Sequence, residues 1–183
     1  IMKFSKDIKR YTDYSGKPAI IMLLTQQGLW ALLQYRFFNW IYTSSLPKIL
    51  KWPILGIGVL KLKGIEVLTG ITIPYSATIG EGFYIGHHSG IIINAGAIIG
   101  KNCNISQGAT IGVSGRGDKR GIPVIGDYVY IGANATVAGK INIGDKAVIG
   151  ANSLVVTDVA AGTTVVGVPA VKVSNNDSAD YIL

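Results

Sequence analysis

From Val67 to Val171 an aliphatic side chain keeps returning at six-residue steps. The series is Val67, Ile73, Ile79, Ile85, Ile93, Ile99, Ile105, Ile111, Ile125, Ile131, Val137, Ile143, Ile149, Val155, Val165 and Val171. Glycine follows the aliphatic residue in many hexads, as in Ile79-Gly80, Ile99-Gly100, Ile131-Gly132 and Ile149-Gly150, and Ala or Ser often comes four places after it (Ala77, Ser89, Ala109, Ala135, Ala147, Ser153). A fixed repeat is the mark of a solenoid, whose units bury their apolar faces only by stacking on one another. Six matches neither the helical period nor simple strand alternation. It suits a short strand and a bend, three to a coil of about 18 residues, which builds a triangular prism. Stiff Ile and Val suit inward positions on pleated faces, and the glycines exclude a long helix there.

Three interruptions break the count. Ile85 to Ile93 is eight residues and contains His87-His88; Ile111 to Ile125 is fourteen and contains the glycine-rich, basic run from Val113 to Gly121; Val155 to Val165 is ten. Each is expected to leave the prism as a loop, with Asp158 to Thr164 bulging out in the third case, and extruded loops often carry function.

The division expected is a helical segment over residues 1–65, the coils over 66–173 and a tail over 174–183, polar until Tyr181-Ile182-Leu183. Ten basic and two acidic side chains lie in residues 1–65, a net of +8, against seven and eight in residues 66–183, a net of −1. The basic segment is also apolar, with Ile20 to Ile41 at helical spacings after Pro18, a break at Ser44-Ser45-Leu46-Pro47, and a second stretch from Ile49 to Leu62 around Pro53. Polar residues interrupt both stretches, so neither reads as a membrane span. Two compatible readings remain: a cap on the open first coil, with oligomer contacts, or peripheral attachment to an anionic membrane through Trp30, Trp40, Trp52 and the lysines. Interleaving of charge with apolar residues argues against nucleic acid. One cysteine, Cys103, excludes an internal disulfide, and no signal peptide with a cleavage site is evident, so a cytoplasmic location is expected, at most peripheral on the membrane.

The two histidines are adjacent, in Gly86-His87-His88-Ser89-Gly90. A metal site wants about three ligands, and no third histidine or partner cysteine exists, so no metal is expected. General-base catalysis needs only one imidazole. The run Gly82-Phe83-Tyr84-Ile85-Gly86-His87-His88-Ser89-Gly90-Ile91-Ile92-Ile93-Asn94 resembles the catalytic coil of bacterial serine acetyltransferases and of their relatives, the colanic-acid and capsular-polysaccharide acetyltransferases. Thr110-Ile111-Gly112, Ile131-Gly132-Ala133-Asn134-Ala135, Ile149-Gly150-Ala151-Asn152-Ser153 and Val166-Gly167-Val168-Pro169-Ala170 continue the likeness in order, over roughly residues 20–173.

This resemblance implies the left-handed parallel β-helix of the hexapeptide-repeat acyltransferases, an exception in hand to the usual crossover. It implies acetyl-CoA as co-substrate, a homotrimer with sites between neighbouring prisms, and His87 as general base on the acceptor hydroxyl without an acyl-enzyme. Ala133, Ala151 and Pro169 would lie along the cofactor, and Gly112, Val113 and Ser114 would offer backbone contacts at the loop base. Arg116, Lys119, Arg120 or Lys172 would meet the CoA phosphates.

Serine acetyltransferases carry an aspartate fifteen residues before the catalytic histidine, an acid immediately before it and a loop histidine before the loop proline. Thr72, Gly86 and Ile122 stand at those positions here. With Thr72 and Ile122 in place of the orienting and serine-contacting groups, and with the double histidine and the Ile91–Asn94 run, the sequence points to a sugar hydroxyl as acceptor, in capsule, exopolysaccharide or O-antigen synthesis. His88, Ser89, Asn94 and Thr72 would then orient His87 or touch the sugar. The alternatives are a serine O-acetyltransferase of cysteine biosynthesis and a partner-binding solenoid without catalysis. A nucleotidyltransferase would need a separate nucleotide-binding domain for which the chain has no room.

Overall fold

A computed structural model describes residues 2–182. Four helices come first, α1 (Met2–Ser15), α2 (Ala19–Thr25), α3 (Gln27–Thr43) and α4 (Lys48–Thr69). Pro18 and Pro47 each stand immediately before a helix, where proline's missing N–H costs nothing. Gly70 ends α4 in the left-handed conformation (φ +66°), its N–H donating to Glu66 O at 2.8 Å. A Cβ at this glycine would lie 2.9 Å from Ser89 Cα, so the next coil fixes its identity too.

The rest of the chain winds into a prism with three parallel sheets as faces. The first face stacks Ile71–Thr72, Ile91–Ile93, Thr110–Gly112, Thr136–Ala138 and Leu154–Val155, and the second stacks Thr78–Ile79, Ile98–Ile99, Val124–Ile125 and Asn142–Ile143. The third stacks Tyr84–Ile85, Asn104–Ile105, Tyr130–Ile131, Val148–Ile149 and Thr164–Gly167, and an antiparallel strand, Ala170–Ser174, closes it. This is the left-handed β-helix with an N-terminal helical segment that the sequence led us to expect. Ile85, Ile105, Ile131, Ile149 and Val165 sit in register, all buried, as one column of the core.

The register corrects the hexad count at three points. The six-residue series starts at Ile73 rather than Val67, because α4 runs through Val67 and leaves it 87% exposed, whereas Ile73 is buried. It ends at Val165 rather than Val171, which lies exposed on the antiparallel strand. The ten-residue step after Val155 extrudes nothing. Val159 fills the inward position beside Ile143, so this coil is short by two residues.

The first coil exposes the open edge of every sheet, which water or another strand would otherwise satisfy. On the second and third faces and the corner between them, α1 and α3 satisfy it with polar side chains. Tyr35 Oη donates to Ala77 O and accepts from Ile79 N–H, and Tyr11 Oη does the same with Ile85, donating to its carbonyl and accepting from its amide. Arg36 donates to Ile79 O and Gly80 O, and Arg10 to Gly82 O. Asp7, wholly buried, accepts from Phe83 N–H and holds Arg36 through both oxygens at 2.8 and 3.0 Å. Burial is the strongest influence on the Asp7 carboxyl and pushes its pKa above the usual range against the pull of Arg36. At its far end the tail folds back: Tyr181 stacks on Tyr130, and its carbonyl accepts from Tyr14 and Asn104.

Candidate active site

His87 follows the strand Tyr84–Ile85 at the corner between the third and first faces. The two extra residues make a turn there in which Ser89 and Gly90 take φ of +86° and +69°. The turn is pinned from both sides: Ser89 N–H donates to Thr69 O at the end of α4, and Ser89 O accepts from Gly108 N–H in the coil above. Both imidazoles are therefore carried on a fixed backbone while remaining exposed.

Counting two residues on from the registered column Ile85, Ile105, Ile131, Ile149 and Val165 gives His87, Gln107, Ala133, Ala151 and Gly167 along one corner. Four coil steps at about 4.8 Å make this corner roughly 19 Å long. Above the imidazole it carries only one side chain larger than a methyl group. Beside it Asn134 and Asn152 both adopt φ of +57° and form a ladder, Asn134 Nδ2 donating to Asn152 Oδ1 at 3.2 Å. Pro169 lies at the turn that tops the column, and Lys172 is exposed on the antiparallel strand opposite Val165. A thin chain can approach the backbone closely along such a corner.

The loop leaves the prism at the opposite edge of the first face. Gly112, Val113 and Ser114 form its base, where Ser114 and Gly121 exchange two backbone hydrogen bonds at 3.1 and 3.0 Å, and Gly117–Lys119 makes a single helical turn at its tip. Gly121 is required here, because a Cβ would lie 2.6 Å from Lys140 Cβ in the coil above. A cleft of about 400 Å³ runs under the loop, lined by Ser114, Gly115, Asp118 and Lys119 on one side and Ala138, Gly139, Lys140 and Val156 on the other. Arg116, Lys119 and Arg120 are all exposed. Lys140, which sequence reasoning missed, shares the cleft with Lys119; its place right after the corner glycine Gly139 was the available signal.

The expected site residues thus fall into two groups. His87, Ala133, Ala151 and Pro169 share one corner; Gly112 to Arg120 occupy the other. About six residues of extended chain separate them across the first face, roughly 20 Å, and the loop leans along its own corner towards Lys140 rather than across to His87.

The other residues that stand out in the sequence are placed as follows. Asn94 is engaged locally: its Oδ1 accepts from Gly96 N–H at 3.0 Å and closes the corner after the first face. Ile91 and Ile93 point into the core. Ile122 is half-buried against the core, its Cδ1 packed over Gly96. Thr72 lies half-buried on the first face, paired with Ile92. Cys103 is a core residue: its Sγ donates to Gly126 O, and burial pushes the thiol up to about 12. Among the described residues no group of three His, Cys, Asp or Glu side chains is placed to hold a metal ion.

A family model described as bacterial transferase hexapeptide (six repeats) matches residues 122–157. The serine acetyltransferase of Synechococcus elongatus is 37% identical over 157 residues, 86% of this chain and 61% of its own length. That of Bacillus licheniformis is 32% identical over 96% of this chain and 78% of its own length. The chain therefore spans about three fifths of the cyanobacterial relative. Among solved structures, Neisseria gonorrhoeae serine acetyltransferase in complex with serine aligns with a TM-score of 0.81 and 31% identity, covering 94% of this chain and 68% of that one. A serine acetyltransferase in complex with CoA aligns with a TM-score of 0.80 and 28% identity, over 93% and 68%.

These matches overturn the sugar acceptor and the closer resemblance to the polysaccharide enzymes. That reading leaned above all on Thr72 and Ile122 at the family's aspartate and histidine positions, and secondarily on the double histidine and the Ile91–Asn94 run, in which Ile91 and Ile93 prove to be core residues and Asn94 a corner cap.

Proposed function

This chain belongs to the serine acetyltransferase family, and we propose that it transfers the acetyl group of acetyl-CoA to the hydroxyl of L-serine. The observation that carries this reading is the extent of the likeness, which runs through the capping helices as well as the coils at 32% identity over 96% of the chain.

In the proposed reaction His87 takes the proton from the serine hydroxyl as that oxygen attacks the thioester carbonyl. The tetrahedral intermediate forms without an acyl-enzyme, a nearby backbone N–H supports its oxyanion, and the imidazolium returns the proton to the departing CoA sulfur. The pantetheine arm lies along the Ala133 and Ala151 corner, and Lys119 and Lys140 offer charge-assisted hydrogen bonds to the phosphates. Since these groups occupy opposite edges of the first face, the complete site is assembled from His87 of one copy and the loop of a neighbour, as in a trimer. With Thr72 and Ile122 at the two family positions, orientation of His87 falls to its own rigid turn and to His88 beside it.

The test is CoA release by the purified chain with acetyl-CoA and L-serine. His87→Ala is expected to reduce turnover about 10²-fold or more. Undiminished turnover in that variant would overturn the mechanism.

A further inference from the structure

The outward face of α4 is the wrong way round for a helix in water. Leu55, Gly58, Leu62 and Thr69 pack inward, with Gly58 pressed against the Phe38 ring of α3. Directly opposite, at spacings of four, three, four, four and three residues, run Ile49, Pro53, Gly56, Leu60, Gly64 and Val67. A solvated helix carries polar residues on that face. Here Ile49 is 82% and Leu60 74% exposed. Exposed Trp52 flanks the stripe on one side and Leu50, Ile57 and Leu68 on the other, and the apolar surface continues across a groove of about 730 Å³ onto Leu33 and Phe37 of α3.

The charges around this surface are predominantly basic. Lys48 and Lys63 border the stripe on the Trp52 side and Lys61 on the other, all exposed. The one acid of α4, Glu66, is half-buried and paired with Lys63 at 2.6 Å. Neither α2 nor α3 contains an acid, and the two acids of α1 are engaged, Asp7 by Arg36 and Asp13 by Lys9. A second copy laid against this face would bring these cations against their own kind, which is unfavourable at an interface. No helix among the described residues is long and apolar enough to cross a membrane. An apolar stripe bordered by lysines, with tryptophan at its edge, matches the boundary between acyl chains and anionic headgroups.

We propose that the outward face of α4 seats the protein on an anionic lipid bilayer, with Ile49, Leu60 and Val67 in the acyl boundary and Lys48 and Lys61 on the headgroups. The C-terminal end of α4 meets the His87 turn through Thr69 O, but Thr69 is on the helix face opposite this stripe, and neither reading depends on the other.

The test is co-sedimentation of the whole chain with phosphatidylcholine vesicles and with vesicles containing one quarter phosphatidylglycerol. Binding is expected to the anionic vesicles only, with a blue shift of tryptophan emission. It should weaken as salt shortens the screening length from about 10 Å at 0.1 M to about 3 Å at 1 M. Lys48→Gln with Lys61→Gln should lower partitioning roughly 25-fold, about fivefold per lysine. Leu60→Gln, at an exposed position where folding is not at stake, should lower it as well. No binding to anionic vesicles, or equal binding to neutral ones, would overturn the proposal. So would a Leu60→Gln variant that keeps vesicle binding but loses mass by light scattering, since that assigns the face to a second copy.

Discussion

Arg36 offers the sharpest test of how the prism is closed at its first coil. Its guanidinium makes four hydrogen bonds, two to Asp7 and one each to Ile79 O and Gly80 O, with Arg36 itself 6% exposed and Asp7 fully buried. Arg36→Met keeps much of the packing but leaves a buried carboxylate without its counterion and two edge carbonyls without a donor. Removing one partner of a buried pair costs about 3–5 kcal/mol. For a chain of this size each kcal/mol shifts Tm by about 2–4 °C, so a fall of roughly 10 °C or somewhat more is expected by calorimetry. Losing Arg36 also removes the main influence lowering the Asp7 pKa and leaves burial, which raises it. A carboxyl raised in the folded state stabilises below its unfolded pKa, near 3.8, and loses that contribution as pH rises through the folded value. The deficit of the variant relative to the parent should therefore narrow as pH falls towards 4. Pairing Arg36→Met with Asp7→Leu should recover much of the loss, because no buried charge is then stranded. A single variant that costs under about 1 kcal/mol, or a double variant worse than the single one, would refute the capping account.

Three further outcomes follow from the site. Lys119→Ala with Lys140→Ala should raise KM for acetyl-CoA roughly tenfold or more, the scale of a lost hydrogen bond to a charged group, while kcat changes little; steady-state kinetics decides this. Asn94→Ala should lower Tm by a few degrees through the lost corner bond, worth about 1 kcal/mol, and leave KM for serine unchanged; a raised KM would return Asn94 to the acceptor site. Cys103 should resist alkylation at pH 8 in the native state and react once denaturant is added, because the buried thiol is held up near 12; mass spectrometry reads the adduct.

The prism was legible because its inward residues are chemically uniform: stiff aliphatic side chains at a fixed step report directly on a stacked core. The same count misled where other physics sets the residue. Val67 keeps step by chance on a helix, and Val159 was passed over because its coil is two residues short. The helix α1 left no apolar period, since the face it turns inward carries Asp7, Arg10 and Tyr11, and their partners are backbone groups of the first coil. His87 stood out in sequence because exposed paired histidines beside a break in the repeat are poor packing material. Its distance from the loop did not, since a hexad count gives each residue's face only once the register across the 26-residue coil is known. The acceptor was misread because Thr72 and Ile122, two departures from the family pattern, were weighed above a likeness that runs through 96% of the chain.

The identity of the product is the most direct test of serine acetylation by this chain. Purified protein incubated with acetyl-CoA labelled in its acetyl group and L-serine should release CoA and yield labelled O-acetylserine in equal amount. Acetyl-CoA that binds yet releases no CoA in the presence of L-serine would contradict it.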